Sequence, residues 1–449
     1  MNDIFDVIII GMGPAGEVAA DRLAKAGKRL AVVEKELIGG ECAYWACIPS
    51  KTLLRATEAR EEADRAAGVT GARPDWQDLR EYRDYMVRHL DDSNQVSGYE
   101  EQGITVIKGS ARLDGPGRVV VGERLLTAEH IVVATGSGAH RPPIDGLDTV
   151  PVWTNREATN LQEIPARALI LGGGSVAVEL GTFLARMGSH ITLVQRGDRL
   201  LTREDPRVGE LAAAALVKAG VGIHTGRRAI SAGREGQDTV VTLDDGTTIR
   251  TDVIVLAMGR HPQTDSLGLE SVGATIDERG AVVVDETCNA VPGVWAIGDV
   301  NAIMPFTHVG MYQARVVADA ILGRPRAANY QGIPRVVFGQ PEIAAVGLTA
   351  DQARSAGHTI LTSELDLAGN LARPWTYEKE PSGILGLVAD ADTDLLLGAW
   401  ALGPMASEWI HQAALAIRAH IPLAQLRDSV AQFPTYSEAY LKAVEQLHP

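Results

Sequence analysis

The residues best suited to chemistry are two cysteines, Cys42 and Cys47, in the stretch GECAYWACIPSK that starts at Gly40. Two cysteines five residues apart, with a helix predicted from Ser50, can come within disulfide-bonding distance. The dipole at a helix N-terminus favours the thiolate, which is the reactive form of cysteine. The pattern therefore favours a redox-active pair. A structural disulfide and a zinc site are the alternatives, and zinc is disfavoured because no second pair of ligands has suitable spacing.

A glycine-rich turn follows the apolar run Val7–Ile10. Such glycines permit a tight turn, let the backbone approach a pyrophosphate and aim a helix N-terminus at its charge. The next helix is predicted to end at Gly27, and the strand Leu30–Val33 closes on Glu34, an acid placed to bond ribose hydroxyls. The motif glycines are Gly11, Gly13 and Gly16, and the helix face behind them is Gly16, Ala19, Ala20 and Leu23.

The same pattern returns after the apolar run Ala168–Leu171. Its helix is predicted to end at Gly188 and its second strand to be Ile191–Val194. Two such strand–helix–strand units, this far apart, predict two dinucleotide-binding domains. The corresponding motif residues are Gly172, Gly174 and Ala177, and the helix face is Ala177, Leu180, Gly181 and Leu184.

The second copy ends differently from the first. Gln195 stands where an NAD-specific site carries an acid, and Arg196 follows it, with Arg199 and Arg203 nearby. A cation at this place can pair with the 2′-phosphate of NADP. The sequence therefore favours NADPH over NADH, while ordinary solvated surface charge and NADH remain the alternatives.

The remaining periodicity predicts helices between the two units and a mixed region at the end of the chain. From about Pro334 the pattern of apolar strands before a strong helix is typical of an α+β domain. The predicted helices are Ser50 to about Ala67, Asp75 to about Glu101 and Ser407–Ala419. The predicted strands are Ile104–Lys108, His130–Ala134, Thr239–Leu243, Val253–Ala257, Val294–Ile297, Val336–Phe338, Gly383–Val388 and Leu395–Leu402.

Length and composition limit the classes of function. A chain of 449 residues predicts two or three domains, and a formal charge of −15 argues against a nucleic-acid partner. No basic run indicates a membrane anchor, and the start Met1–Asp6 lacks the pattern of a signal peptide, so we expect a cytoplasmic protein. With only three cysteines, a close pair is better interpreted as catalytic or metal-binding than as structural.

Taken together, the motifs resemble the pyridine nucleotide–disulfide oxidoreductases, the family of dihydrolipoamide dehydrogenase, glutathione reductase and mercuric reductase. The resemblance covers essentially the whole chain. It implies an α/β fold with two Rossmann-like dinucleotide-binding domains and an α+β C-terminal dimerisation domain. The implied bounds are 1–150 with 280–330 for FAD, 151–279 for NAD(P)H and 334–449 for the interface. Further matching segments are Ala134–Ser137, Ala257–Arg260, Ala296–Val300 and Phe338–Glu342.

The resemblance also implies roles for single residues. NAD(P)H would reduce FAD, which would reduce the disulfide; Cys47 would be the flavin-proximal thiolate and Cys42 the thiol that attacks substrate. Lys51 and Glu179 match a pair beside the flavin ring, and each active site of a homodimer would be completed by the partner chain. The implied FAD residues are Gly11, Gly13, Gly16, Glu34, Gly40, Thr135, Gly136, Asp299, Thr307 and His308. The implied pyridine nucleotide residues are Gly172, Gly174, Ala177, Arg196, Gly259 and Arg260.

One position departs from the family pattern. The thiol–disulfide reductases of the family end with a His-Pro-Thr segment and a Glu, whereas this chain has Phe433 in place of the histidine that shuttles protons. Tyr436, Tyr440 or Glu438 is a candidate replacement. Alternatively the acceptor needs no thiol protonation, as with a quinone, or the dithiol takes a soft metal ion as in mercuric reductases. The metal hypothesis is weakened because the chain lacks their C-terminal cysteine pair.

Three functional hypotheses result: a dithiol-relay enzyme acting on a small-molecule disulfide or related acceptor, a flavin-centred quinone or electron-acceptor reductase, and a redox sensor. No metal cofactor is predicted. The bulky Tyr44 and Trp45 either shape a flat aromatic pocket or pack a dimer interface. Cys288 is interpreted as a buried small apolar residue and His411 as a packing or interface histidine.

Overall fold

The computed structural model describes residues 3–447, so the predictions that fall on Met1-Asn2 and His448-Pro449 lie outside the described residues. The chain forms two compact units. The first unit contains the residues up to Pro49, Glu81–His140 and Gly259–Asn329; the second contains Ser50–Arg80, Arg141–Met258 and the residues from Tyr330 on. The predicted three-domain division remains a prediction.

The first unit is built on an eight-stranded sheet around Asp3–Ile10, which pairs in parallel with Leu30–Glu34 and Arg124–Val133. Valine and isoleucine fill its second half, Val7–Ile10, because both faces of the strand are covered there. The other strands are Thr105–Lys108, Ala111–Leu113, Arg118–Val121, Asn289–Val291 and Val294–Ala296, and a small separate sheet pairs Ser137–Ala139 with Arg260–Pro262. The helices of this unit are Pro14–Lys25, Gly40–Tyr44, Arg88–Leu90, Ser93–Glu101, Leu269–Val272, Gly298–Asn301 and Thr307–Ile321.

The second unit contains a parallel sheet and two antiparallel ones. The parallel sheet has the order Gly222–Thr225, His190–Gln195, Arg167–Leu171, Val253–Leu256 and Val152–Trp153. A three-stranded sheet is formed by Ala229–Glu235, Asp238–Leu243 and Thr248–Thr251. A five-stranded sheet has the order Pro334–Val337, Ile343–Gly347, Leu395–Leu402, Ile384–Asp390 and Ile360–Asp366.

Two helices of the second unit, Ser175–Arg186 and Pro206–Lys218, alternate along the chain with strands of the parallel sheet. Two further helices, Cys47–Arg65 and Trp76–Met86, have residues in both units. The others are Leu147–Thr149, Asn155–Thr159, Ala350–Ser355, Leu367–Asn370, Arg373–Tyr377, Ala406–Trp409, His411–Arg418, Leu423–Arg427 and Glu438–Glu445. Among the described residues, no helix combines the length and the apolar character needed to cross a membrane.

The two predicted helix faces are confirmed. Gly16, Ala19, Ala20 and Leu23 are buried along one helix, and Ala177, Leu180, Gly181 and Leu184 along the other. Most predicted strands are also confirmed within two residues, although the strand predicted at His130–Ala134 is the longer Arg124–Val133.

The prediction of a single helix from Asp75 to Glu101 is wrong. The first helix ends at Met86, and a second begins at Ser93. Between them Arg88, His89 and Leu90 take left-handed backbone conformations that no α-helix allows. The break lets the Asp92 carboxylate accept hydrogen bonds from Ile38 N at 2.7 Å and Lys108 Nζ at 2.7 Å. The helix predicted over Ser407–Ala419 is likewise interrupted, at Ile410.

Candidate active site

The cysteine pair lies in the first unit, where Thr307 contacts both sulfurs. Cys42 belongs to the short helix Gly40–Tyr44, and Cys47 is the first residue of the helix Cys47–Arg65. Both cysteines are half-buried. Thr307 Oγ1 lies 3.3 Å from Cys47 Sγ and 3.4 Å from Cys42 Sγ. The structure therefore brings Thr307 to two cysteines that lie 260 and 265 residues away in the sequence.

The electrostatics distinguish the two thiols. A hydrogen bond with Cys47, and then burial, raises the pKa of the Cys42 thiol well above its usual range, while the hydrogen bond with Thr307 acts in the opposite direction. Cys42 therefore keeps its proton when Cys47 carries the negative charge. Cys47 also lies at a helix N-terminus, where the dipole stabilises a thiolate.

Tyr44, between the two cysteines in sequence, is buried in the first unit. Its hydroxyl donates to Ile38 O at 3.1 Å and accepts from Arg88 Nη1 at 3.1 Å. It therefore anchors the cysteine segment, a role that neither of the two sequence interpretations anticipated. The ring of the half-buried Trp45 lies 5.7 Å from that of Tyr44, and its role as a pocket residue or an interface residue remains a prediction.

The first glycine motif forms a cradle that only a backbone fits. Gly11 has φ 97°, and a side chain there would clash with the carbonyl of Ala134. A Cβ on Gly40 would lie 2.8 Å from the Cα of Gly13, so these two turns touch through their backbones. Among the described residues, no side chain caps the N-terminus of the helix Pro14–Lys25, so its N–H groups can bind a phosphate group, as a dinucleotide requires.

Glu34 is only 7% exposed and is held at the end of its strand. Its carboxylate oxygens accept hydrogen bonds from Met12 N at 2.8 Å and Glu36 N at 2.7 Å. Each carboxylate oxygen has a second lone pair. The bonds therefore orient the acid while leaving it able to accept from ribose hydroxyls.

Asp299 forms a polar chain with Ser137 and Arg260 in the first unit. Ser137 Oγ donates to Asp299 Oδ2 at 2.6 Å, and Arg260 Nε donates to Ser137 Oγ at 2.7 Å. Arg260 Nε is itself 3.8 Å from Asp299. Nearby in sequence, Thr135 Oγ1 donates to Gln263 O at 2.7 Å. Arg260 is predicted to bind the pyridine nucleotide. In the structure it contacts Ser137 and lies near Asp299, which is the residue predicted to hold the ribitol.

The second glycine motif repeats this geometry in the second unit. Gly172 has φ 121° against the carbonyl of Ala257, and Ala177 is buried. A Cβ on Gly174 would meet nothing within 4 Å, so space is open at the N-terminus of the helix Ser175–Arg186. The Gln195 side chain packs over the middle glycine of the motif, where the first copy has Glu34 over Met12.

The arginines after this strand differ in their partners. Arg199 donates to Thr202 O at 3.4 Å and lies 3.8 Å from Asp198. Arg196 and Arg203 are exposed, and neither has an ion-pair partner in the part of the chain that the structure describes. Two uncommitted cations therefore follow the strand that ends at Gln195.

Lys51 and Glu179 form an ion pair of 2.7 Å in the second unit. The Glu179 side chain is 8% exposed, and its other oxygen accepts from Phe338 N at 2.9 Å. Lys51 Nζ lies 4.8 Å from the centre of the Phe338 ring. The sequence identifies Phe338 only as part of a segment that matches the family. It does not predict the contacts of Phe338 with Lys51 and Glu179.

The C-terminal candidates lie in contrasting surroundings. Phe433 is 74% exposed. Tyr436 is buried and stacks on Trp409 with ring centres 6.2 Å apart, and burial raises the pKa of its hydroxyl above the usual range. Tyr440 is buried likewise, with its pKa raised by burial. Neither hydroxyl has a hydrogen-bond partner among residues 3–447, which weighs against both as proton shuttles. The half-buried Glu438 accepts from Thr435 N at 3.4 Å.

Other residues singled out in the sequence have simple surroundings. Cys288 is fully buried in the core of the first unit, as predicted. The His308 ring stacks on Phe306 with centres 5.4 Å apart, and His411 is exposed. The described residues contain no group of three or more His, Cys, Asp or Glu side chains that could hold a metal ion.

Fold and site together define a class, the flavin-dependent enzymes that couple a pyridine nucleotide to a dithiol. Comparison with known proteins agrees. Residues 5–314 match the pyridine nucleotide-disulphide oxidoreductase family model, and residues 333–444 match the dimerisation domain of the same family. The chain belongs to this family, whose members are enzymes that use FAD and a pyridine nucleotide.

Similar proteins cover the chain from end to end. It is 34% identical to the dihydrolipoyl dehydrogenase of Thermus scotoductus over 99% of this chain and 97% of that one. It is 35% identical to a mercuric reductase of Streptomyces lividans over 98% and 96%. A solved structure, the Cu(II) complex of the HOCl-induced flavoprotein disulfide reductase RclA from Escherichia coli, superposes with a TM-score of 0.90 at 29% identity, covering both chains fully.

Proposed function

We propose that this enzyme passes electrons from NADPH through FAD to the Cys42–Cys47 pair, and from there to a disulfide or a related acceptor. One observation carries the proposal: the two cysteines lie together as half-buried residues whose sulfurs are both close to the Thr307 hydroxyl, in the unit that holds the first dinucleotide cradle. A buried structural disulfide would need neither a thiolate-stabilising helix end nor a shared hydroxyl.

The chain's own residues fit FAD. The cradle at Gly11, Gly13 and Gly40 would take the pyrophosphate, Glu34 the ribose and Asp299 the ribitol. Bound flavin supplies the transfer of hydride equivalents from nicotinamide to a disulfide, which no side chain can perform. The family resemblance gives the Lys51–Glu179 pair a role in the reduction of the flavin.

The thiols then perform the exchange. Two electrons and one proton convert the disulfide to a Cys47 thiolate and a Cys42 thiol. Cys42 gives up its proton and attacks one sulfur of a disulfide substrate, forming a mixed disulfide; the released thiolate takes the proton. Cys47 attacks Cys42, which re-forms the internal disulfide and releases the second thiolate, protonated by water.

NADPH is the preferred donor in this proposal because the strand ending at Gln195 carries no acid to bond a ribose 2′-hydroxyl. The exposed, uncommitted Arg196 can instead pair with a 2′-phosphate. The matched dimerisation domain supports a homodimer, in which the exposed Phe433 would face a partner chain. We expect the enzyme to act in the cytoplasm.

A second candidate is a metal-ion reductase, with quinones as further acceptors. Its motivation is Phe433, which offers no proton to a leaving thiolate, together with the Cu(II) complex of the similar RclA and the mercuric reductases among the relatives. Phe433→His separates the candidates. If disulfides are the natural acceptors, a new imidazole should raise disulfide turnover. If metal ions or quinones are, it should leave their turnover unchanged and disulfide turnover low.

The primary test is turnover by Cys42→Ser and Cys47→Ser, measured with NADPH and a panel of disulfide, Cu(II) and quinone acceptors. Loss of turnover in both variants, with FAD still bound, supports the dithiol relay. Turnover of every accepted substrate at the level of the unmodified enzyme would show that the thiols are not on the electron path.

A further inference from the structure

The Thr307 hydroxyl is placed to serve both sulfurs of the proposed redox pair. Its oxygen is 3.3 Å from Cys47 Sγ and 3.4 Å from Cys42 Sγ. A hydroxyl carries one proton, so it can donate to only one of them at a time. The near-equal distances mean that either thiolate could take that hydrogen bond without movement of the backbone.

The position of Thr307 is fixed by its secondary structure. It is the first residue of the 15-residue helix Thr307–Ile321, which packs along the helix Pro14–Lys25 of the same unit. Threonine is branched at Cβ and has few side-chain conformations. Both Thr307 and Cys47 therefore bring a helix N-terminus, with its positive dipole end, to the sulfurs.

We propose that Thr307 is a catalytic residue whose hydroxyl donates a hydrogen bond to whichever of Cys42 and Cys47 is the thiolate, and changes partner during the redox cycle. The inference rests on the proposed dithiol relay and adds to it a residue that otherwise has only a cofactor-contact role.

The hydrogen bond follows the charge through the cycle. After reduction of the disulfide by two electrons and one proton, Cys47 is the thiolate and Thr307 donates to it. When Cys42 loses its proton to attack an acceptor disulfide, the negative charge is on Cys42 and the Thr307 hydroxyl turns to it. Thr307 keeps its own proton throughout, so the overall reaction remains NADPH, a proton and a disulfide giving NADP⁺ and two thiols.

This role bears on the position occupied by Phe433. Without an imidazole, the chain needs another way to stabilise the attacking thiolate. A neutral hydroxyl does so without becoming charged, although it cannot protonate a leaving group. Other ionisable groups near the pair in sequence are Glu41 before Cys42, Lys51 one helical turn after Cys47, and His308 after Thr307. They are common to all variants below, so their effects cancel in the comparison.

The test examines each thiol separately in the FAD-loaded, full-length protein. In Cys47→Ser only Cys42 is reactive, and in Cys42→Ser only Cys47, because Cys288 is 0% exposed. Each is combined with Thr307→Val, which removes the hydroxyl at nearly constant shape, and with Thr307→Ser, which restores it. The readout is the rate of iodoacetamide alkylation between pH 5 and 10, located by mass spectrometry.

We expect Thr307→Val to move the pH profile of alkylation at both cysteines to higher pH, so that the rate falls about tenfold at pH values below the pKa of the thiol. Thr307→Ser should restore both rates. Thr239→Val is the matched control, because the Thr239 hydroxyl is buried and has no hydrogen-bond partner among the described residues; it should change neither rate.

An unchanged rate at either cysteine in Thr307→Val would overturn the sharing of the hydroxyl, and so would a failure of Thr307→Ser to restore the rates. Failure of the underlying relay is recognised separately. In that case Cys42→Ser retains full turnover, whereas an error about Thr307 alone leaves Cys42→Ser inactive and the alkylation rates insensitive to position 307.

Discussion

The guanidinium of Arg88 donates a hydrogen bond of 3.1 Å to the hydroxyl of Tyr44 and lies 5.5 Å from the centre of its ring. The backbone at Arg88, His89 and Leu90 is left-handed, with φ of 54°, 51° and 58°. Such conformations cost about 1–2 kcal/mol per non-glycine residue, so surrounding contacts must stabilise them. Tyr44 lies between the two reactive cysteines in sequence, and this contact therefore ties the strained turn to the cysteine segment.

Tyr44→Phe removes one hydroxyl from this contact. The change leaves the carbonyl of the buried Ile38 without its hydrogen-bond donor and removes the bond from the exposed Arg88. We therefore expect the free energy of unfolding to fall by about 1–2 kcal/mol. Urea unfolding followed by circular dichroism measures it. Tyr82→Phe, at a side chain that is 55% exposed, is the control and should change stability by less than about 0.5 kcal/mol. Equal effects of the two variants would contradict the anchoring role.

Glu179→Gln keeps the shape of the side chain but removes the charge that faces Lys51. A hydrogen bond to a charged group contributes about 1.5–3 kcal/mol, so we expect flavin reduction by NADPH to slow by roughly ten- to hundredfold. Stopped-flow absorbance measures the rate. Glu210→Gln, in the exposed pair with Arg207, is the matched control and should leave the rate unchanged. A normal rate in Glu179→Gln would remove the pair from the proposed catalytic residues.

Arg196→Gln should distinguish between the two pyridine nucleotides. Loss of a cation that pairs with the 2′-phosphate is expected to raise the KM for NADPH by roughly ten- to hundredfold while leaving the KM for NADH nearly unchanged. Steady-state kinetics with both donors provide the comparison. Arg234→Gln, at an exposed arginine of another sheet, should alter neither. An equal effect on both donors would assign Arg196 to something other than the 2′-phosphate.

The pair His358–Asp390 should make stability depend on pH. His358 Nδ1 is 2.9 Å from Asp390 Oδ2, and this hydrogen bond lowers the pKa of Asp390 from its ordinary 3.8. Because the unfolded chain takes up the proton first, the stabilisation is complete above that ordinary value and is lost as the pH falls through the lower native pKa.

We therefore expect the destabilisation by His358→Ala to be largest above about pH 5 and to shrink as the pH falls towards about 2.5. Urea unfolding across this range gives the free-energy difference at each pH. His140→Ala, at an exposed histidine, is the control. A deficit that stays constant down to pH 2.5 would mean that Asp390 does not titrate with the pair.

Local patterns predicted much of this molecule. The glycine turns, the two small-residue helix faces and most strands follow from short-range periodicity, because glycine spacing and apolar period directly reflect backbone geometry. The break after Met86 could not be predicted in this way. The periodicity of the segment predicts a helix, but Asp92 accepts hydrogen bonds from Ile38 and Lys108, which are 54 and 16 residues away in the sequence.

The same limit applies to the site. The resemblance identifies Thr307 as a cofactor contact, yet its position close to both sulfurs depends on contacts spanning 260 and 265 residues. No periodicity carries that information. Tyr436 is a candidate for a proton shuttle in the sequence because it carries a hydroxyl and lies close to Glu438 along the chain. The structure buries it against Trp409 instead, in the core cluster that also contains Tyr440 of the C-terminal helix.

The central claim, that NADPH reduces the Cys42–Cys47 disulfide, is tested most directly by counting thiols. One equivalent of NADPH is added anaerobically to the oxidised FAD-loaded protein, and free thiols are alkylated and located by mass spectrometry. The account predicts that Cys42 and Cys47 both become alkylated, in step with NADPH added, while flavin absorbance is largely retained. Loss of flavin absorbance with the disulfide still intact would contradict it.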